Sequence, residues 1–229
     1  SDLSNCEGRK YNKLYDIVVL RFFCIIIVVF FHCYQMMWAS AHFPLSMDAY
    51  RRSYFAWVQC GIINIAMPLF VFISGYLFIH LLQLCKYPTW GNLLRKKVLR
   101  ILLPYFVFGL FFMVTTGNWH PLQLLNGGYW HLWFLPMLFW CFIVGYSIYK
   151  LKIKGYVELV LLLVAFNGSI IPEFIPKWLG LYSLTSWFYW FYLGMLINKY
   201  KDLIYQNECK VGLSWLLLFT SIVVICLFP

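Results

Sequence analysis

Apolar runs about as long as a lipid bilayer is thick recur along the whole chain. A helix needs roughly 17–20 apolar residues to cross a membrane, and several runs reach that length. The 229 residues are 63% apolar and 11% charged, whereas soluble domains average about 45–50% and 25%. The sequence therefore predicts an all-α, polytopic transmembrane helical bundle that forms one domain over residues 1–229. The seven predicted spans are about 17–38, 61–82, 98–116, 131–149, 155–171, 182–198 and 211–228.

Positive charge alternates between successive loops. The N-terminal segment and the second, fourth and sixth loops contain most of the 18 lysines and arginines, while the other three loops contain few. Because lysine and arginine mark the cytoplasmic side, the N-terminus is predicted to be cytoplasmic. The net charge of +10 is thus explained by topology and does not indicate nucleic acid. We expect a multi-pass protein of the inner or plasma membrane, with the lipid bilayer as its partner.

Two ionisable residues, Arg21 and His32, interrupt the first apolar run. Eleven positions of an α-helix amount to three turns plus about 20°, so both residues fall on one line of the helix. The rise between them is about 16 Å, which is half of the apolar core of a bilayer. Ionisable residues inside spans mark candidate functional sites. Two structural explanations stay open: Arg21 could extend to the headgroups, and His32 could be a neutral partner in a hydrogen bond between helices.

A dense basic run, Arg95, Lys96, Lys97 and Arg100, precedes the third span on its cytoplasmic side. On an α-helix, residues 97 and 100 would be neighbours on one face. Such a cluster could bind the phosphates of a cofactor, or it could serve only as a topological anchor. In the second span, Ser74-Gly75-Tyr76 suits close helix packing, or a glycine that leaves room for a ligand chain.

Aromatic residues mark the outer ends of two later spans. His131 and Trp133 begin the fourth span, and Trp187 to Tyr192 read WFYWFY in the sixth. These residues fit the aromatic belt of a membrane protein, and they could also cover a site entrance or stack on sugars. The eight cysteines are scattered, and no spacing indicates a metal site or a disulfide framework.

Taken in order, several motifs resemble those of the membrane-bound acyltransferase-3 family. Lys97 stands where the family has the first arginine of an Arg-x-x-Arg motif. Family members typically have about ten spans, so the resemblance also implies that the chain is partial. The matching places are Arg21 and His32 with ten residues between them, FVFISGYLF at residues 70–78, Lys97 to Arg100 followed by LLPY, HLWFLPML at residues 131–138, and SWFYWFYLGMLINK at residues 186–199.

The resemblance implies an enzyme that moves an acyl group, usually acetyl, from cytoplasmic acyl-CoA to a hydroxyl of a cell-envelope glycan or lipid-linked sugar. It implies no metal and leaves the oligomeric state open. A transporter or flippase for an envelope precursor is the alternative, since it too would use polar groups inside the membrane. The implied roles are His32 and Arg21 in catalysis, Arg95, Lys97 and Arg100 on the CoA phosphates, Ser74, Gly75 and Tyr76 along the thioester arm, and Trp133 and His131 at the acceptor.

Overall fold

The computed structural model describes residues 15–39, 54–117, 119–126, 130–153, 155–167 and 176–202. Throughout these ranges the secondary structure is helical and contains no strand, as the sequence predicts. The α-helices are α1 (Tyr15–Ala39), α2 (Tyr54–Gln83), α3 (Trp90–Lys97), α4 (Leu103–Thr116), α5 (Leu122–Leu125), α6 (Phe134–Lys150), α7 (Tyr156–Phe166) and α8 (Leu181–Lys199). A π-helical turn, Val98–Leu102, joins α3 to α4, and 3-10 turns, Trp130–Trp133 and Trp178–Gly180, precede α6 and α8.

Two stretches in the described ranges are both long and apolar enough to cross a membrane, namely Ala66–Gln83 and Trp90–Thr116. Shorter apolar helices occupy Ile17–Phe30, Phe134–Lys150 and Tyr156–Phe166. Much of the apolar surface of α1, α4 and α7 is exposed, which is typical of helices that contact lipid. The two long stretches coincide with the second and third predicted spans.

Several predicted boundaries differ from those observed. The second helix begins at Tyr54 rather than near residue 61, and the basic run belongs to a helix continuous with the third span. Of the fifth predicted span, 155–171, the structure describes residues 155–167, and these contain the 11-residue helix Tyr156–Phe166. Apolar residues alone do not end a helix, so hydropathy locates spans better than their ends. The seventh predicted span, 211–228, lies outside the described residues.

The described residues divide into two compact units. One unit contains the described residues between Ser74 and Asn198, and the other contains residues 15–39, 54–73 and 199–202, so the boundary falls inside α2. The core of the first unit is aromatic. Phe142 of α6 lies between Phe78 of α2 and Phe191 of α8, with ring centroids 4.9 and 5.2 Å away. These edge-to-face contacts hold the three helices together.

One cysteine departs from the prediction. Cys85, in the loop after α2, is disulfide-bonded, whereas Cys24 and Cys141 are buried free thiols. Sequence spacing misses such a bond, because a disulfide requires two sulfurs that the fold brings together, at any separation along the chain.

Candidate functional site

The basic run is split by the π-helical turn. The Leu103 N–H donates to the carbonyl of Val98, five residues back. Pro104 follows directly, and a proline inside a helix has no N–H to donate and clashes with the carbonyl four residues earlier, here Arg100. Proline therefore favours the wider turn at this point. Such turns are rare and often occur at functional sites.

Lys97, directly before that turn, is enclosed by aromatic rings. Its Nζ lies 3.2 Å from the ring centroid of Phe142, 5.3 Å from that of Phe78 and 5.4 Å from that of Tyr87. The side chain is only 9% exposed. An ammonium group over an aromatic face is attracted by the quadrupole of the ring. The charge of Lys97 is thus directed into the unit, toward three rings.

Tyr87 contacts two lysines of the basic run, although nothing in the sequence singles it out. Its ring also lies under Lys96, whose Nζ is 5.3 Å from the ring centroid. The backbone carbonyl of Tyr87 accepts a hydrogen bond from the Tyr146 hydroxyl at 3.3 Å. Burial raises the pKa of the Tyr87 phenol, and the positive charge of Arg100 opposes part of that rise. Tyr87 lies in the loop Lys86-Tyr87-Pro88, outside any helical pattern. The spacing of residues along the sequence therefore could not predict its contacts with the lysines.

Arg95 and Arg100 are the exposed members of the run, because Lys96 is half-buried and Lys97 is buried. The prediction that residues 97 and 100 share one face is therefore wrong. It assumed α-helical spacing, and a π turn takes more residues, which moves Arg100 away from Lys97. The arginines are left accessible to a phosphorylated ligand.

Gly75, the centre of the Ser74-Gly75-Tyr76 motif, is a contact point between helices. A Cβ added at Gly75 would collide with the backbone carbonyl of Phe191, so the backbones of α2 and α8 approach as closely as glycine allows. The expectation that Gly75 leaves room for a ligand chain is wrong, because α8 fills that room. Ser74 is buried and Tyr76 is half-buried beside this contact.

Replacing Gly75 by alanine should destabilise the protein by about 1–3 kcal/mol, since the added methyl group forces two backbones apart. Gly91→Ala is the matched control, because no atom lies within 4 Å of the added carbon there. Alanine inside an exposed helix costs nothing and can stabilise it by up to about 1 kcal/mol. Thermal unfolding in detergent would measure both variants. Equal melting temperatures would show that the contact at Gly75 is not tight.

At the other end of α6, two tryptophans from different motifs meet. The indole of Trp133 lies 5.7 Å from that of Trp187, measured between ring centroids, at an interplanar angle of 46°. Both are half-buried. His131 lies in the 3-10 turn beside Trp133, and its side chain is not among those described. The structure therefore joins the fourth and sixth predicted spans through an aromatic pair.

Arg21 and His32 both lie on α1, which is one continuous helix from Tyr15 to Ala39. The geometric premise, eleven helical positions between them, is confirmed for the backbone. The Arg21 guanidinium lies over the Phe70 ring of α2, 5.2 Å from its centroid. The side chain of His32 is outside the described set. Arg21 and Phe70 belong to one unit, and the basic run belongs to the other.

A second residue that sequence reasoning missed is Asn198, near the end of α8. Its side chain is fully buried, and neither amide atom has a hydrogen-bond partner. A buried amide without partners costs about 1–3 kcal/mol, so such positions commonly hold an ordered water or contact a ligand. In the sequence, Asn198 is a single polar residue next to Lys199 at the end of a predicted span. Polar residues are common at such ends, so the sequence gives no reason to single it out.

These features define a class of protein: a helical protein with span-length apolar helices, an exposed arginine pair beside a π turn, and an aromatic pair at the other end of the unit. The profile of a family described as an acyltransferase domain matches residues 14–229. The chain belongs to this acyltransferase-3 family, which confirms the resemblance drawn from its motifs, and it is an acyltransferase of that family. No curated protein and no solved structure matches the chain.

Proposed function

We propose that the protein is a multi-pass enzyme of the inner or plasma membrane that transfers an acyl group, in the first place acetyl, from cytoplasmic acyl-CoA to a hydroxyl of a cell-envelope glycan or lipid-linked sugar. The family match carries the proposal. The exposure of Arg95 and Arg100 supports the donor, because the guanidinium group is well suited to bidentate contacts with phosphate.

In this mechanism His32 takes the proton from the acceptor hydroxyl as its oxygen attacks the thioester carbonyl. The C–S bond breaks, and the thiolate of CoA takes up the proton. Arg21, on the same face of α1 and about 16 Å toward the cytoplasm, would stabilise negative charge on the donor as it approaches. Trp133 and His131 would contact the sugar.

Acyl-CoA consumption tests this function. Full-length purified protein, given acetyl-CoA and an extract of envelope glycans, should release CoA thiol and produce an acetyl ester that mass spectrometry detects on the glycan. A transporter or flippase would bind such molecules without consuming the thioester. Binding of acetyl-CoA without release of thiol, with every glycan fraction tried, would contradict the proposal.

Orientation is the second part of the proposal. The loop charges place the N-terminus and the loop that contains Cys85 in the cytoplasm. The disulfide at Cys85 points the other way, since disulfides persist mainly in oxidising compartments. The loop charges favour a cytoplasmic N-terminus, because every loop agrees with the alternation.

Two matched cysteine variants decide the orientation. Leu151→Cys, after α6, and Trp178→Cys, before α8, replace side chains that are 70% and 72% exposed. An impermeant maleimide added to intact cells should label the Trp178→Cys protein and not the Leu151→Cys protein, with the labelled peptide identified by mass spectrometry. The reverse pattern would place the N-terminus outside and remove the route from cytoplasmic donor to outer acceptor.

A further inference from the structure

Helix α2 ends in a Schellman motif that has a cysteine where glycine is usual. The Lys86 N–H donates to the carbonyl of Leu81, and the Cys85 N–H donates to that of Leu82, both at 3.0 Å. Cys85 has φ +55°, in the left-handed region. Glycine is favoured at this position of the motif, because a Cβ raises the energy of that conformation. Backbone of this kind persists where its surroundings fix it, and it is common in switch regions.

The disulfide at Cys85 is such a constraint, and it lies beside the contacts that hold a lysine of the basic run. The Lys86 carbonyl accepts a hydrogen bond from the Lys96 Nζ at 3.1 Å. The ring of Tyr87 lies 5.3 Å from the same Nζ. Both contacts come from residues within two positions of Cys85. Breaking the disulfide therefore removes a constraint on the loop that holds Lys96.

The disulfide and the loop charges disagree only if the disulfide is permanent. The charges place this loop in the cytoplasm. Cytosolic thiols are kept reduced, and the disulfides that do form there are usually transient and are catalytic or redox-sensing. Cys85 is partly exposed, and strained or exposed disulfides are the more easily reduced ones. A reversible bond at Cys85 agrees with both observations.

We propose that the Cys85 disulfide is a redox switch for the basic run. In the oxidised form, the loop of residues 84–88 holds Lys96 against itself. In the reduced form, the loop relaxes and Lys96 joins Arg95 and Arg100 as a cation accessible to a phosphorylated ligand. Oxidation therefore weakens the binding of acyl-CoA, and reduction strengthens it. The switch rests on the proposed orientation, and its effect on acyl-CoA rests on the proposed function.

The reductant is a dithiol of the cytoplasm. One of its thiolates attacks a sulfur of the disulfide, the S–S bond breaks, and a mixed disulfide forms. The second thiolate of the reductant then attacks the mixed disulfide and releases the other protein sulfur. The protein gains two electrons and two protons as two thiols, and the dithiol is oxidised to its own disulfide.

The reactivity of Lys96 tests the switch without an activity assay. Full-length purified protein is treated with an amine-reactive acetylating reagent, with and without prior reduction by dithiothreitol, and the modified peptides are quantified by mass spectrometry. Lys96 should react at least about threefold faster after reduction, because a hydrogen-bonded amine reacts only while its contacts are open. Lys177, which is exposed before α8, is the internal control and should react equally in both samples.

Two variants of Cys85 separate the disulfide from the backbone conformation. Cys85→Gly removes the sulfur but suits the left-handed conformation, so Lys96 should stay protected with or without reductant. Cys85→Ser removes the sulfur and keeps a Cβ, so Lys96 should react as in the reduced parent protein under both conditions. A response to reductant in Cys85→Gly, or a protected Lys96 in Cys85→Ser, would overturn the switch.

The state of the bond in cells is the second test. Acid quenching followed by differential alkylation should find Cys85 mostly reduced in unstressed cells and mostly oxidised after brief exposure to diamide. A bond that is fully formed in unstressed cells is a permanent structural disulfide, and a bond that never forms is no switch; either result overturns the proposal.

Binding of acetyl-CoA links the switch to the proposed function. The reduced protein should bind about three- to fivefold more tightly than the oxidised protein, since an exposed ion pair is a weak contact. Equal affinities would overturn the control of donor binding. The failure of the proposed function looks different: a protein whose Lys96 responds to reductant but which binds acetyl-CoA in neither state has the switch without this donor.

Discussion

Acyl transfer should fall by about 10²–10⁴-fold when His32 is replaced by glutamine, while acyl-CoA still binds. Glutamine keeps hydrogen-bonding capacity but cannot take a proton, so it separates catalysis from structure. The prediction rests on the position of His32, eleven residues along one continuous helix from Arg21 and about 16 Å deeper. Initial rates of CoA thiol release and a separate measurement of CoA binding would test it.

The control for His32 is His80→Gln, near the C-terminal end of α2, which should keep transfer activity close to that of the parent protein. A structural role for His32 predicts a different pattern: the glutamine variant stays active, and His32→Ala folds poorly. Near-normal acylation by His32→Gln would refute the catalytic role.

The affinity for acyl-CoA should fall by about 10- to 150-fold in Arg100→Ala, because a lost charge-assisted contact to phosphate costs about 1.5–3 kcal/mol. The sequence alone predicts the same effect for Lys97. With Lys97 enclosed by Phe142 and two further rings, we instead expect Lys97→Met to leave CoA affinity nearly unchanged. It should lower thermal stability, since a desolvated cation–π contact contributes about 2 kcal/mol.

Isothermal titration of each purified variant with CoA, paired with thermal unfolding, separates the two roles. Arg95→Ala should resemble Arg100→Ala, because its side chain is also exposed. Unchanged affinity in both arginine variants would leave the run as a topological anchor only. An equal loss of affinity in Lys97→Met would mean that the lysine leaves its rings to meet the ligand.

The helical class and the family could be read from the sequence because each rests on local patterns. The length of the apolar runs predicts helices long enough to span a membrane. The motifs around Arg21, Arg100 and Trp133 occur in the order that the family predicts. The helical spacing between Arg21 and His32 is also a local property of the sequence, and the continuous helix α1 confirms it.

What the sequence did not predict depends on contacts between distant residues. The approach of Gly75 to Phe191 spans more than a hundred positions, so the motif alone could not tell a packing glycine from a glycine that opens a channel. The aromatic cage around Lys97, formed by the rings of Phe78, Tyr87 and Phe142, likewise combines residues from α2, from a loop and from α6. The sequence shows Pro104, but only the structure shows the π turn before it, which changes the helical register of the basic run.

The aromatic cage has a consequence at long range. The rings of Phe78, Tyr87 and Phe142 attract the Lys97 ammonium through their quadrupoles and carry no net charge of their own. The rings therefore subtract nothing from the positive charge of the basic run, to which the exposed Arg95 and Arg100 belong. Such a field speeds the encounter with anionic ligands and is screened over about 8 Å at physiological salt. We therefore expect the positive charge of the run to raise the rate at which a polyanion arrives, and direct contacts with Arg95 and Arg100 to determine how long it stays.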